Sequence, residues 1–101
     1  MFATIEQTTQ AYLVPVHAEH LGQNSRQLRR VVGDALDRGE RRIVMDCRAW
    51  NSPDVVMFST LIGCAQLCAG RGAAFELINL GGSIHETLRD LRLTPRLGLP
   101  E

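Results

Sequence analysis

The chain has 101 residues with a formal net charge of zero, and 45% of its residues are hydrophobic. A chain of this length and composition is too short for two cores and too apolar to be disordered. Zero net charge argues against a protein that works mainly by holding nucleic acid or anionic lipid. We therefore expect one globular domain over residues 1–101, with no nucleic acid among its partners.

The cellular location is predicted from the start of the chain and from its cysteines. The first ten residues, MFATIEQTTQ, lack the basic and apolar regions of a signal peptide. No apolar run approaches the ~20 residues of a membrane span, so direct membrane insertion is not expected. Cys47, Cys64 and Cys68 are an odd number of thiols without a paired framework, which indicates reduced cysteines. The sequence therefore predicts a cytoplasmic protein.

Two strands and a surface helix are predicted in the first 40 residues. Residues 2–7 alternate weakly between apolar and polar, and residues 11–16, AYLVPV, form a short apolar run. Pro15 places the second strand at a sheet edge or a bulge, because proline has no amide hydrogen to donate. A one-sided helix follows over about residues 25–38, capped by Asn24 or Ser25 and ended by Gly39.

Two further strands alternate with two further helices. The β-branched apolar residues in 41–47 predict a buried strand, 54–69 a helix, and 73–80 another strand. Ser83 and Glu86 have the spacing of a capping box for a helix over about 84–91. The remaining residues, LTPRLGLPE, predict an irregular tail. Strands joined by single helices indicate an α/β fold with a small, mostly parallel sheet of about four strands and at least three helices.

The helix at 54–69 is unusual because it carries no charge after Asp54. Ser52 is predicted as its N-cap and Pro53 as its first helical residue. The residues predicted to face the sheet follow helical spacing: Phe58, Leu61, Ile62, Ala65, Cys68 and Ala69. The opposite side is also largely apolar and holds Met57, Thr60, Gly63, Cys64 and Leu67. That side is covered either by other helices of the same chain or by a partner.

The order of elements and the spacing of three residues resemble the STAS domain, a family of sulfate transporter and anti-sigma factor antagonist domains. Asp46 ends a predicted strand, Asp54 lies eight residues later at the start of the central helix, and Gly72 follows that helix. Residues 83–93 resemble the final helix of the family, with Arg92 where glycine is common. The resemblance covers roughly residues 10–95 and implies a STAS-like fold.

The resemblance breaks at the phosphorylation motif. In bacterial antagonists of this family, the aspartate is followed by a serine that a partner kinase, itself the anti-sigma factor, phosphorylates. Here Asp54 is followed by Val55, Val56 and Met57. Val55 has no hydroxyl, so the phosphoswitch does not carry over to it. Ser52, Ser59 and Thr60 are the candidate surrogate phosphosites, and ordinary structural roles are the alternative for each of them.

The resemblance implies a non-enzymatic regulatory domain that binds a partner protein such as an anti-sigma factor or serine kinase. Its expected partner-binding residues are Asp54, Val55, Val56, Met57 and Thr60. The alternative function is a STAS subunit of a membrane-associated lipid-transport ATPase complex or of a signalling scaffold. An apolar helix face and an edge strand at 11–16 also allow a homodimer.

No residue pattern predicts a cofactor, a metal site or a catalytic centre. Cys64 and Cys68 are four residues apart on a helix, and His17 and His20 are three apart, but nothing else converges on either pair. Asp46 and Asp54 each have a structural role, one ending a strand and the other starting a helix. The glycines of NLGGS lack the lysine and spacing of a phosphate-binding loop, so a turn is expected there.

Overall fold

The computed structural model of the protein describes residues 10–17 and 25–99. The elements in chain order are strand β1 (Tyr12–Pro15), helix α1 (Arg26–Asp37), strand β2 (Arg42–Asp46), helix α2 (Val55–Gly70), strand β3 (Ala74–Ile78), helix α3 (Gly82–Asp90) and a 3₁₀ turn (Pro95–Leu97). This order confirms the elements predicted for these residues. The strand predicted at 2–7 lies outside them.

The described sheet has three strands in the order β1-β2-β3, and both pairs are parallel. Val14 is opposite Met45, and Met45 is opposite Leu77. Since one helix joins each pair of adjacent parallel strands, right-handed crossovers place α1 and α2 on the same face of the sheet. Within the described residues β1 pairs only with β2, so it is an edge strand there, as Pro15 predicts.

The core lies between this face of the sheet and the helices. Val14, Met45 and Leu77 from the three strands belong to one cluster of buried residues, together with apolar side chains from all three helices and Leu97 of the 3₁₀ turn. The next residue of β2, Val44, is buried as well but is not part of that cluster. Val44 therefore lies on the opposite face of the sheet from Met45, as expected because successive side chains of a strand point to alternate faces.

All three helices end in the same way, with a left-handed residue and a pair of backbone hydrogen bonds. Gly39 follows α1 with φ of 95°, Gly72 follows α2 with φ of 69°, and Arg92 follows α3 with φ of 59°. After α2, the Ala73 amide donates to the Cys68 carbonyl at 2.8 Å. These are Schellman motifs, and they confirm Gly39 and Gly72 as helix-ending residues.

Two predictions near the C-terminus are wrong. Helix α3 begins at Gly82 with Gly81 as its N-cap, and no side chain caps it. Ser83 therefore lies inside the first turn, where its carbonyl accepts a hydrogen bond from the Thr87 hydroxyl at 2.9 Å, and the capping box does not form. The tail is not irregular throughout, because the 3₁₀ turn packs against α2 and β3 with Thr94 and Leu97 buried.

Candidate functional site

Helix α2 begins at Val55 because Asp54 caps it. Asp54 has an extended backbone, and its carboxylate accepts hydrogen bonds from the amides of Val56 at 2.9 Å and Met57 at 3.4 Å. Ser52 is exposed and lies before the helix, so the prediction that Ser52 is the N-cap is wrong. A carboxylate at this end also interacts favourably with the helix dipole, which a serine hydroxyl does far less.

The buried side of the helix is only partly the one predicted, since Phe58, Leu61 and Cys68 are buried as expected but other residues are not. Its buried residues are Met57, Phe58, Leu61, Cys64 and Cys68. Met57 and Cys64 were assigned to the side facing away from the sheet, whereas Ala69, assigned to the sheet side, is exposed. A helix that is apolar all round gives no polar face from which its rotation could be fixed, so spacing alone cannot identify the buried side.

Helix α1 covers part of the remaining side of α2. The hydroxyl oxygens of Ser25, at the start of α1, and Thr60 are 2.8 Å apart. One turn further along, the Arg29 side chain lies against Gly63, where an added Cβ would be 3.7 Å from the guanidinium carbon. Much of the apolar side is therefore covered within the chain, which is one of the two alternatives left open by the sequence.

The start of α2 remains exposed. The exposed fraction is 73% for Val55 and 45% for Val56, and Ser59 is also exposed. We call these three residues the α2 tip.

The expected partner-binding residues are therefore not equally available. Val55 and Val56 lie on the α2 tip, Asp54 is half-buried and caps the helix, and Thr60 is half-buried beside Ser25. Met57 is fully buried in the core and cannot contact a partner in this structure. Because its side chain belongs to the buried core cluster, Met57 is not part of the exposed surface.

Two grooves run along either side of the α2 tip. The groove toward α1 has a volume of about 440 Å³ and is lined by Arg26, Arg29, Val56, Ser59 and Thr60. The groove toward the tail has a volume of about 210 Å³, and its lining includes Val55, Phe58, Leu91 and Arg96. Ser59 lines both grooves and so lies on the ridge between them. Arg26 and Arg29 are three residues apart on α1, whereas Arg96 belongs to the 3₁₀ turn near the C-terminus. No spacing pattern predicts that Arg96 flanks the same surface as the other two.

A buried aromatic pair lies beneath this end of α2. Trp50, in the connection between β2 and α2, is fully buried and packs edge-on against Phe58, with ring centroids 5.6 Å apart and planes at 63°. The indole amine has no hydrogen-bond partner among the described residues. Because Phe58 also lines the groove toward the tail, these rings join the core to the candidate surface.

The pKa shifts of Cys47, Cys64 and Asp46 have structural causes, namely burial and hydrogen bonding. Burial raises the pKa of Cys47 and of Cys64 to about 12, so neither thiol ionises near neutral pH. The Asn79 side-chain amide donates to Asp46 at 3.0 Å and, together with the Arg48 amide, lowers the pKa of that carboxyl. Residues 10–17 and 25–99 contain no cluster of three or more metal-ligating side chains.

The fold and the comparisons with known proteins agree. A family model described as the STAS domain matches residues 3–99, and the chain therefore belongs to the STAS domain family. Such domains are generally binding or regulatory modules.

A similar solved structure is the NMR structure of the protein TM1081, with a TM-score of 0.78 and 15% identity. The match covers 90% of this chain and 74% of that one, and at this identity it supports the fold alone. Among curated proteins, none matches the sequence. Over the described ranges, no helix is long and apolar enough to cross a membrane.

Proposed function

We propose that this STAS domain is a non-enzymatic regulatory module that binds a partner protein through the α2 tip, as an anti-sigma factor antagonist does. The observation that carries the proposal is the exposure of two consecutive valines, at 73% and 45%, directly after the capping aspartate. Burying a large apolar side chain contributes about 1.5–3 kcal/mol. Val55 and Val56 therefore gain free energy when a partner covers them, and they contribute little to the fold while exposed.

Binding through this surface does not require phosphorylation at position 55. Phosphoryl transfer needs an oxygen nucleophile, and Val55 has none. Of the surrogate phosphosites, Thr60 is half-buried and hydrogen-bonded to Ser25, while Ser52 and Ser59 are exposed. Intact mass and affinity, measured together after incubation with the captured partner and ATP, test this point. A stoichiometric phosphate on Ser52, Ser59 or Thr60 with loss of binding would replace the proposal with a relocated switch.

The binding surface itself is tested by replacing Val55 with aspartate. Val55→Asp should abolish capture of the partner from the native cell because it places a charge among the apolar side chains of the α2 tip. A negative charge in the first turn is tolerated by the helix dipole, so the melting temperature should hardly change. Val31→Asp is the matched control, since Val31 on α1 is an exposed valine, at 38%, outside both grooves.

Two outcomes of the Val55→Asp experiment would contradict the proposal. Capture that survives Val55→Asp would show that the α2 tip is not the surface, and a large fall in melting temperature would show that Val55 supports the fold. The identity of the captured protein decides between the alternatives. An anti-sigma factor or serine kinase supports the proposal, whereas the ATPase subunit of a lipid-transport complex assigns the chain to such an assembly.

Restoring a phosphorylatable serine requires one substitution and not two. The family pattern suggests Val55→Ser with Met57→Gly, but Met57 is fully buried. Removing its side chain would open a cavity that costs at least about 2–5 kcal/mol. Val55→Ser alone leaves the core intact and should produce a phosphorylatable protein if the partner is a competent kinase.

Self-association is a separate part of the proposal. Within the described residues, β1 leaves one side of its backbone unpaired, and Leu13 on that strand is 55% exposed. A second copy covering this edge would bury Leu13 and satisfy the free backbone groups. Light scattering at tens of micromolar should show a dimer, and a Leu13→Glu variant should remain monomeric. A monomer for the unaltered chain contradicts the dimer.

A further inference from the structure

We infer that the segment recognised by the α2 tip is an acidic one, with apolar side chains that cover Val55 and Val56 and carboxylates that reach Arg26, Arg29 and Arg96. This inference rests on the proposed function and specifies the chemistry of the partner. It is drawn from the arrangement of arginines around the apolar ridge.

The guanidinium groups lie on both sides of the ridge. Arg26 and Arg29 line the groove toward α1 together with Val56, and Arg96 lines the groove toward the tail together with Val55. Ser59 lies between them and lines both. A segment placed along the ridge therefore has positive charge on either side of its apolar contacts.

These arginines have no carboxylate partner of their own in the described part of the chain. The ion pairs there are Arg42 with Glu76, Arg48 with Asp46, and Arg71 with Asp37. The carboxylate at the ridge, Asp54, accepts hydrogen bonds from the amides of Val56 and Met57. Three cations thus surround an apolar surface, whereas the chain as a whole has zero net charge.

Charge complementarity favours a protein segment as the occupant. Carboxylates on a partner form charge-assisted hydrogen bonds with guanidinium groups, and an apolar centre with a charged rim is typical of protein interfaces. A nucleic acid has no apolar side chains to cover the valines, and a chain of zero net charge attracts it weakly. Exposed valines, together with arginines that have no carboxylate partner within residues 10–17 and 25–99, fit acidic protein surfaces with apolar anchors.

The test uses a displayed library of random 16-residue peptides selected against the full chain. Peptides that bind should be enriched in Asp and Glu around one or two large apolar residues. Their binding should shift the backbone NMR resonances of Val55, Val56 and Ser59. The selected peptides should bind the double variant Arg26→Glu with Arg29→Glu about tenfold more weakly than they bind the unaltered chain.

The matched control reverses two arginines outside both grooves, Arg30→Glu with Arg89→Glu, and should retain affinity. Because Arg29 packs on Gly63, its replacement could disturb α2, so Arg96→Glu serves as a second variant. Arg96 is exposed in the tail, and its reversal should weaken the same peptides while the melting temperature stays constant.

The remaining outcomes separate this inference from the proposed function. Two results overturn the inference and leave the proposed function standing. The first is a set of α2-tip peptides without an acidic bias. The second is a peptide affinity that changes neither in Arg26→Glu with Arg29→Glu nor in Arg96→Glu. A selection that yields no peptide for the α2 tip overturns the inference as well. These peptide outcomes leave the proposed function to its own test, which is the capture of the partner by the unaltered chain and by Val55→Asp.

Discussion

The hydroxyl oxygens of Ser25 and Thr60 lie 2.8 Å apart and join the start of α1 to the second turn of α2. Ser25 is fully buried, whereas Thr60 is half-buried, so the two ends of this hydrogen bond differ in their access to water. The contact holds the two helices together beside the groove that contains Arg26 and Arg29. It therefore positions one side of the proposed binding surface.

We predict that Thr60→Val destabilises the protein more than Ser25→Ala does. Thr60→Val leaves the buried Ser25 hydroxyl without its partner, at a cost of about 1–3 kcal/mol. Ser25→Ala leaves the Thr60 hydroxyl, which can turn to water. The double variant should therefore be less destabilised than the sum of the single ones, in a double-mutant cycle by urea unfolding. Additive effects would show that the bond contributes nothing.

The N-cap of α2 gives a second prediction. Asp54→Ala should lower the free energy of unfolding by about 0.5–2 kcal/mol, because the amides of Val56 and Met57 lose their acceptor. Ser52→Ala, two residues earlier and exposed, should change it by less than about 0.5 kcal/mol. Chemical unfolding of both variants is the measurement. The reverse ranking would make Ser52 the functional cap.

The third prediction concerns Arg92, which has φ of 59° in the position after α3 where α1 and α2 have glycine. Arg92→Gly should stabilise the protein by about 0.5–1 kcal/mol, since glycine adopts this conformation without strain. Arg92→Ala keeps the Cβ while removing the charge, and it should give no such gain. Thermal melts of the two variants, compared with the unaltered chain, separate the backbone effect from the loss of the arginine.

The fourth prediction is a pH dependence at Asp46. The hydrogen bond from Asn79 and that from the Arg48 amide lower the pKa of the Asp46 carboxyl in the folded state. A lowered pKa stabilises the fold above the unfolded-state value of about 3.9, and this stabilisation is lost as the pH falls through the folded-state pKa. The difference in melting temperature between the unaltered chain and Asp46→Asn should therefore narrow below about pH 4.

Asn79→Gly provides the control for Asp46. Asn79 has φ of 57°, which glycine adopts readily, so this variant removes the amide donor and keeps the backbone conformation. The effect of Asp46→Asn on the melting temperature at neutral pH should be smaller in the Asn79→Gly background. An equal effect in both backgrounds would mean that Asn79 does not interact with the carboxylate.

The sequence predicts the elements of this fold better than it predicts their ends and faces. Helix α1 has one apolar stripe and a glycine at its end, so its extent and its buried side follow from spacing. Helix α2 is apolar on all sides, and only tertiary packing determines that Met57 faces the core. Ser83 and Glu86 have the spacing of a capping box, yet Gly81 precedes the helix and Ser83 lies within it.

The candidate surface could be predicted only in part. The resemblance to the family indicated the start of the central helix, and Val55 and Val56 are indeed exposed there. Whether binding uses them remains a prediction. The arginines could not be anticipated, because Arg29 and Arg96 are far apart in the sequence. They come to lie beside the start of α2 only when α1 and the C-terminal segment pack on that helix.

The contact between Trp50 and Phe58 provides an optical reporter for future measurements. Trp50 is the single tryptophan of the chain, so all indole fluorescence comes from one known place. Its ring is shielded from water and touches Phe58, which also lines the groove toward the tail. Unfolding shifts the emission to longer wavelength as water reaches the indole. A ligand seated against Phe58 instead changes the intensity without that shift, so that one unlabelled titration distinguishes binding from loss of structure.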